Sequence, residues 1–250
     1  MLEQLEALLP PESTYPLDVV KPIRPRLHGR SFFPGGCGLA FGDGQPYPAR
    51  PIMLVGQDFD SADDWDRLDD AAMQQAEAAS ATWRGISAVA KSGLLDLRRA
   101  VFTNCLLGCR VAAGNTGVSP AVGRAHYVEV SLDCLEAQIR LLKPSVVVAL
   151  GRLPTCLLAQ RFRLAPLAWR PSAPPSWREI DDASLQFVER VTGVAEHQFA
   201  LASCTHPCYP GNARHRRWSL AEGHVAGKEA QVLIWRAVQR LDEQITSSIR

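Results

Sequence analysis

Three polar residues each follow a short apolar run. Asp58 follows Pro51-Ile-Met-Leu-Val-Gly56, inside Gly56-Gln57-Asp58-Phe59-Asp60-Ser61. Asn104 ends Ala100-Val-Phe-Thr-Asn104 and precedes Cys105-Leu-Leu-Gly-Cys109-Arg110. His206 lies in Thr205-His206-Pro207-Cys208-Tyr209-Pro210-Gly211, after Phe199-Ala-Leu-Ala-Ser203. A carboxylate, an amide and an imidazole on one edge can bind and cleave a flat polar ligand. The amide reads its edge with one donor and one acceptor, the imidazole donates to a developing anion, and the carboxylate orients water or stabilises a cation. Plainer readings stand beside these: Asp58 also suits a cap or turn, Asn104 a turn, and His206 a solvated loop.

The elements that would carry these residues follow from hydrophobic patterning. A fourth apolar run is Ser145-Val-Val-Val-Ala-Leu-Gly151. All four are about a strand long and apolar on successive residues, the pattern of strands buried on both faces of a parallel sheet. Helical patterns are expected over 61–93 (broken near Ser80), Val128 to Leu142, Asp181 to Val191, and Leu220 to Ile245. The segment 166–176 reads as a long loop. The expected fold is a single three-layer α/β/α sandwich with a short four-stranded parallel sheet built from 52–55, 100–103, 145–150 and 199–203. Residues 1–50 form an N-terminal wrapping segment, 51–215 the motif-bearing core and 216–250 the C-terminal helix. In such sheets ligands bind beyond the carboxyl ends of the strands, where the three polar residues fall.

Composition limits the partners. The 250 residues are 46% hydrophobic and 21% charged, ordinary globular values, and no apolar run reaches the roughly 20 residues of a membrane span. The start, MLEQLEALLPPE, carries acids where a secretory signal has basic residues. Seven cysteines, an odd number without such a signal, point to a reducing cytoplasm rather than a disulfide framework. With 27 Lys+Arg against 26 Asp+Glu there is no whole-chain basic field, so a DNA-binding surface must be a local patch. Arg214, Arg216 and Arg217 form the candidate, with a solvated start to the last helix as the plainer reading. Between 58 and 70 the only basic residue, Arg67, faces seven aspartates, which reads as a solvated helix start.

The order and spacing of these residues resemble the uracil-DNA glycosylase superfamily. Gly56-Gln57-Asp58 matches the first half of the G-Q-D-P-Y-H motif of its best-known branch. Thr103-Asn104 followed by Cys109-Arg110 is similar to the T-N and C-R of its iron–sulfur branch, and so is the helix running into Lys143-Pro-Ser-Val-Val-Val-Ala-Leu-Gly151. His206-Pro207-Cys208 resembles the H-P-S motif with Cys for Ser; Phe59, Asp60 and Ser61 replace the Pro, Tyr and His of the first motif. The resemblance, over roughly 50–215, implies a base flipped from DNA and cleaved through an oxocarbenium-like sugar. It implies Asp58 and His206 as catalytic residues, with Gln57, Phe59 and Asn104 binding the base. Phe59, Trp65 and Trp83 compete for the stacking position. The iron–sulfur branch uses four cysteines. Here Cys109 and Cys134 fall near two positions and Cys37 alone lies N-terminal, so no cluster, metal or other cofactor is expected.

The expectation is therefore a cytoplasmic, monomeric, glycosylase-type hydrolase of base excision repair. It would remove a deaminated base from single-stranded or damaged duplex DNA, with no membrane partner. Two alternatives stay open: an enzyme of the same fold acting on a free nucleoside or modified base, and a non-catalytic binder of DNA or a protein.

Overall fold

The structure, a computed structural model, describes residues 1–23, 47–62, 79–111, 117–166, 168–194, 197–220 and 223–249. It is a mixed α/β fold around a five-stranded sheet. Strands β2 (Ile52–Gly56), β4 (Ala100–Asn104), β6 (Val146–Leu150) and β8 (His197–Cys204) are mutually parallel, and β7 (Phe187–Val194) runs antiparallel beside β8; the order is β4-β2-β6-β8-β7. The four apolar runs are thus the four parallel strands. Both faces are apolar because both are covered. Met53, Val55, Val147, Ala149 and Leu201 pack with α3 (Ala125–Leu142) and α4 (Arg152–Arg161). Ile52, Leu54, Phe102, Val148 and Ala202 pack with α2 (Ala81–Lys91) and α6 (Gly227–Ile249).

The fifth strand corrects the four-stranded expectation. Residues 181–191 read as helix, yet α5 is only Trp177–Asp182, closed by a Ser176–Glu179 capping box, and β7 follows. Pairing of β7 with β8 shifts register between Val188 and Val191 and again between Val191 and Val194. Each irregularity adds a residue, so Val188, Val191 and Val194 recur every three positions, a spacing that imitates a helical face. The C-terminal helix also starts later than expected. Residues 217–220 and 223–226 pair as the antiparallel strands β9 (Arg217–Leu220) and β10 (Gly223–Ala226), and α6 begins at Gly227.

The N-terminal segment is partly structural. Helix α1 (Leu2–Glu6) and Tyr15 send buried side chains into the main core, and β1 (Val20–Lys21) joins a small second sheet. There β5 (Cys109–Arg110) pairs antiparallel with β1 and parallel with β3 (Phe59–Ser61). Residues 24–46, including Cys37, and 63–78, including Trp65 and most of the acidic run, lie outside the described residues.

At the amino ends of the parallel strands, Arg99 clamps Asp242 with two hydrogen bonds of 2.8 and 3.1 Å, and Ser145 donates to the same carboxylate at 3.0 Å. This ties the starts of β4 and β6 to α6 and leaves the carboxyl ends free for function. Among the described residues, no helix is long and apolar enough to cross a membrane.

Candidate functional site

Strand register brings the polar residues to one edge. Gly56 pairs with Asn104, and Leu150 pairs with Cys204, so the carboxyl ends of the parallel strands are level. The chain then turns as a pair of bonded segments: the Cys105 amide donates to Gly56 and the Leu106 amide to Gln57, each at 2.9 Å. These bonds fix Asp58 beside the end of β4. The buried Tyr127 hydroxyl donates to the Leu107 carbonyl and supports the segment from below.

Asp58 is not a free carboxylate. Arg110 donates to it twice, Nε to Oδ2 at 2.6 Å and Nη2 to Oδ1 at 3.0 Å, and both side chains are buried, 4% and 9% exposed for Arg110 and Asp58. Gln57 Nε2 adds a third hydrogen bond to Oδ1 at 3.1 Å. A carboxylate has about four acceptor sites, so among the described residues one is left for a water or ligand. Gln57 Nε2 and Arg110 Nη2 also hold the Gly117 carbonyl at 3.0 and 3.1 Å. The Gln57 amide nitrogen is therefore scaffolding, and its side-chain oxygen and the nearby backbone are what is left to meet a base.

Asn104 is 3% exposed at the carboxyl end of β4. Phe59 is half-buried, packed on the core at the site edge. Trp83 is buried with its ring edge-on to Phe102, centroids 4.9 Å apart, so it serves the core and not a stacking platform.

His206 has its tautomer set by its own loop. The Cys208 amide donates to Nδ1 at 3.3 Å, and Cys208 Sγ lies 2.8 Å from the same nitrogen. With Nδ1 accepting, the proton of a neutral ring sits on Nε2, which becomes a donor. Burial pushes the imidazole below its ordinary value, with the Asp58 charge opposing more weakly, so the neutral ring is favoured. The histidine thus lies within the field of Asp58. The loop is pressed against α2. A Cβ at Gly85 would stand 2.4 Å from the Pro207 carbonyl oxygen and 2.7 Å from Pro207 Cβ, so only glycine fits. On the other side is Gly151, φ +115, where a Cβ would come 3.7 Å from His206 Cβ. Tyr209 is exposed, its ring centroid 6.1 Å from that of His206.

The basic patch divides. Arg216 is wholly buried: its guanidinium lies 4.4 Å from the Trp177 ring centroid, donates to the Ser203 carbonyl at 2.7 Å and sits 2.9 Å from Asp181 Oδ1. Its expected role as a phosphate contact is corrected, because a group without exposed surface cannot reach phosphate. Arg217 is partly exposed and ion-paired with Asp182, whereas Arg214 is exposed with no carboxylate partner among the described residues. The segment is a 3₁₀ turn (Pro210–His215) running into β9, not a helix start. Cys109 packs with Ile23 and Ala62, while Cys134 packs in the main core.

Sequence reasoning misses Arg110 as the partner of Asp58, although the Cys109-Arg110 pair is a visible signal. It also misses Gly85, for which no signal exists, and Arg152, which directly follows Gly151. Arg152 lines a cavity of about 660 Å³ with Trp177, Arg178 and Arg214; Asp58, Asn104 and His206 do not line it. No protein-family model matches the sequence and no curated protein aligns with it significantly, so the site's own geometry carries the functional argument.

Proposed function

We propose that the protein is a hydrolase of N-glycosidic bonds, of the uracil-DNA glycosylase type, acting on a deaminated base presented by a DNA strand. The observation that carries this reading is the state of His206: a neutral ring whose Nδ1 is occupied by the Cys208 amide, leaving Nε2–H as donor within the field of Asp58. A neutral donor suits a leaving group that departs as a pyrimidine anion. The Asn104 amide, at the carboxyl end of β4, carries the donor and acceptor that the edge of a uracil-like ring requires.

In the reaction, the C1′–N bond breaks and its electron pair leaves on the base, where the His206 Nε2–H hydrogen bond stabilises it. Water oxygen then bonds to C1′, and the proton it releases passes to the base or to solvent. Asp58 orients that water through its one uncommitted acceptor site. Its charge is largely balanced by Arg110, so stabilisation of the oxocarbenium by Asp58 is weaker than that of an unpaired carboxylate.

The test is release of free base from single- and double-stranded oligonucleotides carrying uracil, hypoxanthine or xanthine, with the free nucleosides alongside. Release from oligonucleotides supports the reading. Release from nucleosides alone replaces DNA by a small substrate, and release from none removes the enzymatic reading.

A further inference from the structure

We infer that the arginine-lined cavity between the start of α4, α5, residues 212–217 and Ala226 is a binding site for a phosphate group. At about 660 Å³ it falls within the roughly 300–1,000 Å³ range of small-ligand sites. Arg152, Arg178, Arg214 and Arg217 contribute to its lining, with the polar Ser176 and Asn212 between them. The acids of this wall are already engaged. Asp182 is paired with Arg217 and lies 3.8 Å from Arg178, Asp181 holds Arg216, and Glu179 accepts from the Ser176 amide and hydroxyl, both at 2.7 Å. Arg152 and Arg214 are exposed and have no ion-pair partner among the described residues, although Glu179 feels the charge of Arg152.

Behind the surface, Trp177 Nε1 and Arg216 Nε are buried donors without acceptors among the described residues. Arg216 cannot touch a ligand, but its charge, fixed over Trp177, adds to the field. Arg214 spends only its Nε, donated to His215 Nε2 at 3.0 Å, and a concave wall rich in guanidinium donors suits a ligand that only accepts and carries negative charge; the guanidinium fork matches phosphate oxygens two at a time. The chain links the cavity to the candidate site through Arg152. Arg152 follows Gly151, whose amide donates to the Cys204 carbonyl at 2.8 Å and whose Cα faces His206. A nucleotide whose base meets Asn104 and His206 would carry its phosphates toward this wall. The choice of a nucleic-acid or nucleotide phosphate over another oxyanion rests on the glycosidic reading; the cavity and its arginines do not.

The experiment uses the full chain and the double variant Arg152→Ala/Arg214→Ala. Both side chains are exposed, so the variant should melt like the parent. Arg98→Ala, exposed near the amino ends of the strands, is the control. Three probes are titrated: a fluorescent single-stranded oligothymidylate across a salt series, deoxyuridine 5′-monophosphate, and inorganic phosphate. The double variant is expected to bind the oligonucleotide at least about tenfold more weakly. Its salt slope should be shallower by about 0.7 for each phosphate that it no longer neutralises, with the control unchanged. Weakening confined to the mononucleotide and phosphate supports the site with a free nucleotide as the source. Absence of binding to all three probes, or a double variant indistinguishable from the control, overturns it. Base release is scored separately on the same proteins. Arginine-dependent binding without base release leaves this site standing and removes the glycosidic reading, whereas release with arginine-independent binding does the reverse.

Discussion

Arg110 offers the sharpest perturbation, because its removal strands a buried charge. Arg110→Met keeps much of the side-chain volume but takes two charge-assisted hydrogen bonds from Asp58 and one hydrogen bond from the Gly117 carbonyl. Asp58, 9% exposed, keeps only the 3.1 Å bond from Gln57. Breaking one side of a buried ion pair costs about 3–5 kcal/mol, whereas replacing both partners by neutral groups is often close to neutral. For a chain of this size, about 2–4 °C of melting temperature accompanies each kcal/mol. Arg110→Met is therefore expected to melt roughly 6–20 °C lower, and Asp58→Asn/Arg110→Met to regain most of that decrease. Thermal and urea denaturation of the two single variants and the double give the coupling. If Arg110→Met costs under about 1 kcal/mol, or the double variant is destabilised by the sum of the singles, the pair does not hold the Asp58 loop as described.

Other consequences are independent of that pair. Gly85→Ala forces a Cβ against the Pro207 backbone, so overpacking of about 1–3 kcal/mol is expected together with impaired base release; unchanged melting and activity would contradict the close approach. Arg216→Met is expected to cost about 3–5 kcal/mol, because it takes the cation from the buried Asp181 and leaves it the Arg217 amide bond at 2.7 Å, while Arg214→Ala stays within about 0.5 kcal/mol; equal effects would contradict the division of the patch. For pH, the folded His206 titrates below the unfolded value near 6.5, so the unfolded chain binds more protons in the window just below 6.5. Stability contributed by the neutral ring is then present above 6.5 and declines as pH falls through that window, and base release should persist below 6.5 before declining. An activity limb above 6.5 that vanishes in His206→Ala would refute the neutral-donor state.

Much of the sheet was legible because four doubly buried strands leave continuous apolar runs that nothing else in the chain imitates. The two corrected elements share one cause: local periodicity reports a repeat of buried positions, not its origin. The irregular pairing of β7 spaces Val188, Val191 and Val194 like a helix, and the strand pair of β9 and β10 sits in a stretch whose Val225 extended the apparent stripe of α6. The positions of Asp58, Asn104 and His206 at the strand ends followed from topology. Their states did not, because the partners come from distant segments. Arg110 lies 52 residues from Asp58, and Gly85 meets Pro207 from another element. The burial of Arg216 was equally hidden, since one basic run carries exposed, paired and fully enclosed side chains in succession.

The most direct test of the glycosidic mechanism is single-turnover base release from a uracil-containing single-stranded oligonucleotide by the parent protein and by His206→Ala, with strand affinity measured on both. Removing one donor to a developing anion typically costs about 2.7–4 kcal/mol of barrier, a fall of roughly 10²–10³ in rate. Release by the parent, a decrease of that size in the variant, and little change in strand affinity are the expected results. Equal rates in the two proteins, or release by neither from any deaminated base, would contradict the mechanism.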